Sequence, residues 1–379
     1  MGPPSSRTQP KWQGVCLLKA DLTIPLRKDL IRAHKAKGDL VAAVFPIHYP
    51  RALFNAFNIL TVEVWGPPGM DSSFGGVHLQ PYVCSIVQSA LSFLQSGGLG
   101  DVDLLVVPHT CDSFQGFGSI LLDFVHPKQP ISTLYVPKGR RQSDIDFLAE
   151  ELHALYQQLQ EFTGLRPSDS DLLEHIQREE SADGLLFELH QNRRRIPLSN
   201  IDFYRIVRSR EYLPARQFIE LANDTMASVT TEALTGIPIV LSGIVPEPMN
   251  ILQAITEAGG TIVADDLACC GRRLYPSGEG DDPFQRMAHS IVNAPPDSTR
   301  GDSVQDRLDH LVTLVESSGA KGVIFLIVKF CEPELFYLPN LRKGLQTADI
   351  PSVTIETDIN DPLSQQVRTR LEAFLEIIQ

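Results

Sequence analysis

Leu104-Leu105-Val106-Val107-Pro108-His109-Thr110-Cys111-Asp112 and, much later in the chain, Val323-Ile324-Phe325-Leu326-Ile327-Val328-Lys329-Phe330-Cys331-Glu332 share one form. Each is an apolar run too short for an ordinary helix, closed by a few polar residues and a thiol. Runs of this length without clear alternation suit parallel strands buried on both faces. Each cysteine then falls just past the carboxyl end of its strand, where open parallel sheets bind their ligands.

Six further runs group around these two. Residues 41–45, 61–65 and 132–136 join the first, and 237–242, 261–264 and 352–356 join the second. Helix-period segments lie between them at 83–94, 249–257, 304–317, 335–346 and 363–378. Strand followed by helix, repeated, gives βαβ units. The expected fold is α/β: two doubly wound, flavodoxin- or Rossmann-like halves with four-stranded parallel sheets, joined by a helical connector. The divisions expected are an N-terminal arm (1–39), a first α/β domain (40–143), the connector (144–236) and a second α/β domain (237–379). Within the connector, residues 146–163 and 169–195 carry long amphipathic patterns punctuated by Pro167 and Pro197.

Composition narrows the function classes. Among 379 residues, 43% are hydrophobic and 21% charged, which suits a globular chain of two or three domains. The net charge of −13 comes without any long Lys/Arg block, which disfavours nucleic-acid binding. The longest apolar run, residues 322–328, is too short to span a membrane. The first residues are polar and Pro/Ser-rich, unlike a secretory signal, so a cytoplasmic location is expected. Lys138, Arg140 and Arg141 are local cations for an anionic ligand, or else a solvated turn.

Six cysteines at 16, 84, 111, 269, 270 and 331 contain no C-x-x-C pair, so any site they form is assembled by the fold. Cys84 opens a helical segment, where the helix dipole favours a thiolate. Three converging thiolates leave one corner of a cubane without a protein ligand. Taken singly, each cysteine also reads as a small buried hydrophobe. No phosphate-binding loop, dinucleotide fingerprint, nucleophile elbow or H-E-x-x-H is present. His48 and His109 flank strand ends as candidate acids or bases, and Arg193-Arg194-Arg195 reads as a solvated helix end.

From about residue 40 onward the chain resembles the family of 2-hydroxyacyl-CoA dehydratases and benzoyl-CoA reductases. Tyr82-Val83-Cys84-Ser85-Ile86-Val87-Gln88-Ser89-Ala90-Leu91 is similar to the first cluster-ligand segment and Thr110-Cys111-Asp112 to the second. Val328-Lys329-Phe330-Cys331-Glu332-Pro333-Glu334 resembles the third; Ala264-Asp265-Asp266 and Thr369-Arg370-Leu371-Glu372-Ala373-Phe374 are further matches. The resemblance implies a [4Fe–4S] cluster on Cys84, Cys111 and Cys331 and a CoA-thioester substrate. It also implies a related partner subunit, as heterodimer or homodimer, and an ATP-dependent iron–sulfur activator. In a dehydratase of this family one strongly reducing electron turns the thioester into a ketyl radical anion that expels its 2-hydroxyl. Val64-Trp65-Gly66 leans toward the β-type dehydratase subunit.

Where members of the family commonly read Val-Pro-Glu-Glu-Leu, this chain reads Tyr49-Pro50-Arg51-Ala52-Leu53, so an acidic pair is missing and proton handling by this subunit is in doubt. Cys269 and Cys270 are expected to approach the same cleft, as extra ligands or as neighbours not needed for assembly. Cys16 is expected to be structural. The competing readings are an aryl-CoA reductase subunit, a double-cubane reductase of small molecules and a metal-free CoA-binding paralogue.

Overall fold

A computed structural model describes residues 24–71 and 75–379. Residues 1–23, with Cys16 and most of the expected N-terminal arm, lie outside the described residues. In chain order the first half is α1 (Arg27–Ala36), β1 (Leu40–Val44), α2 (Arg51–Ala56), β2 (Ile59–Glu63), α3 (Ser85–Gln95), β3 (Leu104–His109), α4 (Asp112–Ile120) and β4 (Ile131–Tyr135). Four helices follow: α5 (Gln142–Thr163), α6 (Asp169–Gln191), α7 (Asn200–Ser209) and α8 (Ala215–Met226). The second half is β5 (Ile237–Gly243), α9 (Asn250–Glu257), β6 (Gly260–Leu267), α10 (Pro283–Val292), α11 (Val304–Ser318), β7 (Val323–Val328), α12 (Glu332–Thr347), β8 (Ser352–Thr357) and α13 (Gln365–Ile377).

Both sheets are four-stranded and parallel, in the orders β2-β1-β3-β4 and β6-β5-β7-β8. This is the doubly wound arrangement, with a switch point between β1 and β3 and its counterpart between β5 and β7. The central strands are buried almost throughout, β7 at all of its positions, because helices cover both faces. Strand β4, at a sheet edge, instead alternates buried and partly exposed residues.

The apolar core does not respect the division into halves. One cluster runs from Val41 and Val87 through Phe203 and Phe218 to Leu241 and Ile355, so α7 and α8 wedge the two sheets together. A second joins Val44 and Val106 to Leu148, Ile176 and Met287, which places α10 against α5, α6 and the first sheet. A third covers the outer face of the second sheet with Leu311 and Leu341.

Two backbone features position the later site. Gly66 has φ 78°, and a Cβ there would meet the Ile86 carbonyl oxygen at 2.7 Å and Ser89 Cβ at 2.8 Å. Only glycine lets the segment after β2 lie directly on α3. Phe330 has φ 61°, costly for an aromatic residue, and there the chain turns sharply from β7 into α12.

Candidate functional site

Three helices begin on three cysteines. Cys84 is the N-cap of α3, Cys111 of α4 and Cys331 of α12. The first-turn amides of a helix lack intrahelical partners, and an acceptor at the N-cap meets them. None of the three sulfurs accepts a capping hydrogen bond, and the Val87 N–H goes to the Cys84 carbonyl oxygen, but the first-turn amides of each helix lie close enough to act on its sulfur electrostatically. Each favours a thiolate, and the three helix dipoles act in the same sense.

Burial opposes this. It pushes the Cys84 thiol up to about 11 and Cys111 to about 12, where the neighbouring Cys84 adds to the rise. Cys331 is driven well above the usual thiol range by burial, then by Cys84, Glu334 and Cys111. Every pair among the three thiols is therefore within electrostatic reach. The Ser85 N–H reaches the Lys329 carbonyl oxygen at 3.4 Å, tying the start of α3 to the turn before Cys331.

As a donor set, two buried thiols and one half-buried thiol, Cys111, on three helix N-termini suit a thiophilic, electron-rich centre whose cations compensate the thiolate charge. Among the described residues no three His, Cys, Asp or Glu side chains close on a single metal ion. Sulfurs that ligate different irons of one cubane stand about 6–7 Å apart, too far to share one ion. The Ser85 hydroxyl, buried beside Cys84 without a hydrogen-bond partner, is a further group suited to such a centre.

The first turn of α12, which follows Cys331, is held by a buried charge network that sequence reasoning missed. Glu334, in the first turn of α12, accepts from Arg272 Nη1 at 2.8 Å and from the Ser298 hydroxyl. Arg272 also pairs with Asp266 and Asp297, each at 3.2 Å, and Arg307 reaches Asp266 Oδ2 at 2.6 Å. The available signal was the pair Asp265-Asp266 followed closely by Arg272-Arg273, but nothing local says which charges are buried.

Cys269 and Cys270 belong to the same packed core cluster as Cys84 and Cys331. Cys269 and Cys270 place their sulfurs 3.3 Å apart in the turn after β6, both buried. That turn is fixed by Asp265 Oδ1, which accepts from the N–H of Leu267 and of Gly271. The chief charged neighbours of the pair are Arg208, Asp265, Glu211 and Glu247, whereas those of the first three thiols are Glu332, Glu334 and Asp297. The two groups of thiols thus have different polar surroundings.

His48 is buried between the halves, with Tyr275 Oη 3.4 Å from Nδ1 and Asp297 Oδ2 3.7 Å from Nε2. His109 packs edge-on against Tyr135, and burial lowers its pKa. Arg140 pairs with Asp302 and Arg141 caps α5 through Asp144; Lys138 lies exposed beside Gly301. The reading of residues 193–195 as solvated needs correction. Arg193 is 2% exposed, lies over the Phe203 ring and donates to Asn200 and Leu198, while Arg194 and Arg195 are exposed.

Arg51, standing where an acid is common, donates to Glu63 Oε1 at 2.8 Å. Glu63 is fully buried and also accepts from Tyr49, Trp65 and Arg273, so its oxygens are committed. A cavity of ≈ 1070 Å³ opens toward the C-terminal end of α3, lined by Arg27, Trp65, Phe93, Tyr204 and Met249. None of the thiols lines it.

Residues 46–378 match the family described as 2-hydroxyglutaryl-CoA dehydratase, D-component. The chain belongs to this family. Among its relatives is the (R)-phenyllactyl-CoA dehydratase beta subunit of Clostridium sporogenes, 24% identical over 361 residues, covering 93% of this chain and 95% of the relative. The (R)-2-hydroxyglutaryl-CoA dehydratase subunit beta of Acidaminococcus fermentans is 25% identical over 366 residues, covering 92% and 95%. One of the benzoyl-CoA reductase subunits of Thauera aromatica is 23% identical over 352 residues, covering 89% and 91%. Members of the family with such names are subunits of larger enzymes. No helix among the described residues is long and apolar enough to cross a membrane.

Proposed function

We propose that this chain is the β-type, electron-carrying subunit of a 2-hydroxyacyl-CoA dehydratase, with a [4Fe–4S] cluster on Cys84, Cys111 and Cys331. What supports the reading is that three N-cap cysteines drawn from both halves belong to one packed cluster, Cys84 and Cys331 within it and Cys111 against it. When bound, the cluster supplies one-electron transfer at a site shielded from water. The chain's own residues would hold it: the three thiols ligate, the dipoles of α3, α4 and α12 favour their ionised form, and the Arg272 network fixes Glu334 one turn after Cys331. Cys269 and Cys270 are not ligands in this reading, in keeping with their separate polar surroundings.

Proton transfer to or from the substrate falls to another chain. Glu63 is saturated by Tyr49, Arg51, Trp65 and Arg273, and Arg51 is itself committed to it. The partner is a paralogous subunit, and an ATP-dependent iron–sulfur activator supplies the electron, because this chain has no phosphate-binding loop. Large apolar side chains stand exposed on the segments that carry the thiols: Tyr82 at 61%, Phe124 at 67% and Phe336 at 75%. In this reading the three side chains belong to the contact with the paralogous subunit, whose closure would keep water from the cluster.

Reconstitution tests this assignment. A 2-hydroxyacyl-CoA should lose water only when this chain, its paralogous partner, the activator and ATP are all present, and Phe336→Asp should abolish co-purification with the partner while leaving iron in place. Turnover by this chain alone with a mild reductant would overturn the reading. Reduction of benzoyl-CoA without dehydration would assign the chain to the aryl-CoA reductases instead.

A further inference from the structure

Seven serines are buried among the described residues: Ser85, Ser89, Ser92, Ser132, Ser209, Ser242 and Ser298. Six have partners. Ser89 accepts from Asn360 and Ser92 from the Gly75 N–H, while Ser132, Ser209, Ser242 and Ser298 donate to Gln158, the Ile206 carbonyl, Asp266 and Glu334. Ser85 alone has none. Serines within the helices of this chain commonly donate to the carbonyl one turn back, as Ser119 does to Gln115, Ser181 to Gln177 and Ser318 to Leu314. Ser85 is the first residue of α3, so no helical turn lies behind it.

Its surroundings say where the donor is needed. Ser85 follows Cys84 directly, and its backbone N–H bonds to Lys329, two residues before Cys331, so it sits between two of the three thiol-bearing segments. A buried hydroxyl is one donor and two acceptors, and leaving all of them unmet is unfavourable. Sulfur bound to iron is an acceptor, and a hydrogen bond to it withdraws electron density and stabilises the reduced state. We infer that the Ser85 hydroxyl donates a hydrogen bond to a sulfide of the cluster and raises its reduction potential. The inference rests on the cluster reading given above. It makes Ser85 a positioning residue that sets the potential without being a ligand.

The test is an anaerobic redox titration of the full chain followed by electron paramagnetic resonance, on wild type, Ser85→Ala and Ser85→Thr. Ser85→Ala should keep its iron, and at a fixed potential its ratio of reduced to oxidised cluster should fall about tenfold, equivalent to about 59 mV for one electron. Ser85→Thr, which keeps the hydroxyl, should titrate like wild type. In heavy water the wild-type cluster should show coupling to a rapidly exchanging deuteron that Ser85→Ala lacks. This coupling is read on wild type and Ser85→Thr even where Ser85→Ala fails to retain iron. Unchanged potential and coupling in an iron-loaded Ser85→Ala would overturn the role of Ser85 and leave the cluster standing. Absence of iron from wild type after anaerobic reconstitution would overturn both.

Discussion

Replacing Cys331 with alanine is expected to take the iron content of the anaerobically purified chain from about four per chain to near zero. Cys331 is the N-cap residue of α12, lies within electrostatic reach of both Cys84 and Cys111, and is the one member of the proposed ligand set that comes from the second half. Without it the remaining two thiols bind only half of an ordinary cubane ligand set. Cys84→Ala and Cys111→Ala should behave alike, because each removes one thiol of the proposed set from the start of a helix. The double change Cys269→Ser with Cys270→Ser should retain about four iron per chain. Iron and sulfide analysis with electron paramagnetic resonance decides the matter. Full occupancy in Cys331→Ala would refute the ligand assignment, and loss of half of about eight iron in the double variant would establish a two-cubane protein.

The second large effect concerns Arg272. Its guanidinium is completely buried and contacts Asp266, Asp297 and Glu334. Arg272→Met keeps much of the volume but leaves buried carboxylates short of a cation, a loss of about 3–5 kcal/mol for breaking a buried ion pair. Arg307 still serves Asp266, so Asp297 and Glu334 bear most of the change. Equilibrium denaturation in urea should register that loss, with weakened iron retention because Glu334 anchors the first turn behind Cys331. A loss below about 1 kcal/mol, the scale of an exposed pair, would show that the network is not a structural support.

Acid titration gives the same network a second signature. Burial alone would raise Asp266 and Asp297, but Arg272 beside them overrides it and holds both below the ordinary carboxylate range. Carboxylates depressed in the folded state contribute stability above their unfolded pKa of about 3.9, and it is lost as pH falls through the folded value. Stability of the wild type should therefore decline on acidification, and the decline should be shallower in Arg272→Met.

The parallel strands were legible because their signal is local. Runs such as 322–328 and 104–108 are apolar on both faces, and the helices that cover those faces are demanded by the same pattern. Short or glycine-bearing helices were not legible. Helix α2 has only six residues, and α4 contains Gly116 and Gly118, which weaken its intrinsic propensity. Both are held by packing on the sheet. Cys111 and Cys331 stood out by their positions past strand ends and Cys84 by its place at a helix start, but that all three are N-cap residues emerged only once α4 and the start of α12 were defined. The Arg272 network and the capture of Arg51 by Glu63 depend on pairings between distant segments, which no local pattern records. The solvated reading of Arg193 failed for the same reason: its partners, Asn200 and the Phe203 ring, come from the next helix.

The way Cys84, Cys111 and Cys331 are shared between the two sheets bears on how the protein matures. Cys84 and Cys111 lie close in the chain, but Cys331 enters only after the middle helices and most of the second sheet have been built. A centre ligated by all three acts as a clip across a very long loop, and its binding energy becomes folding energy for the junction between the halves. The apo chain should therefore breathe at this junction, with faster amide exchange at the starts of α3, α4 and α12 than in the loaded protein. With the proposed ligand set, iron insertion would come last in biogenesis, into a cradle that does not exist until synthesis has passed Cys331.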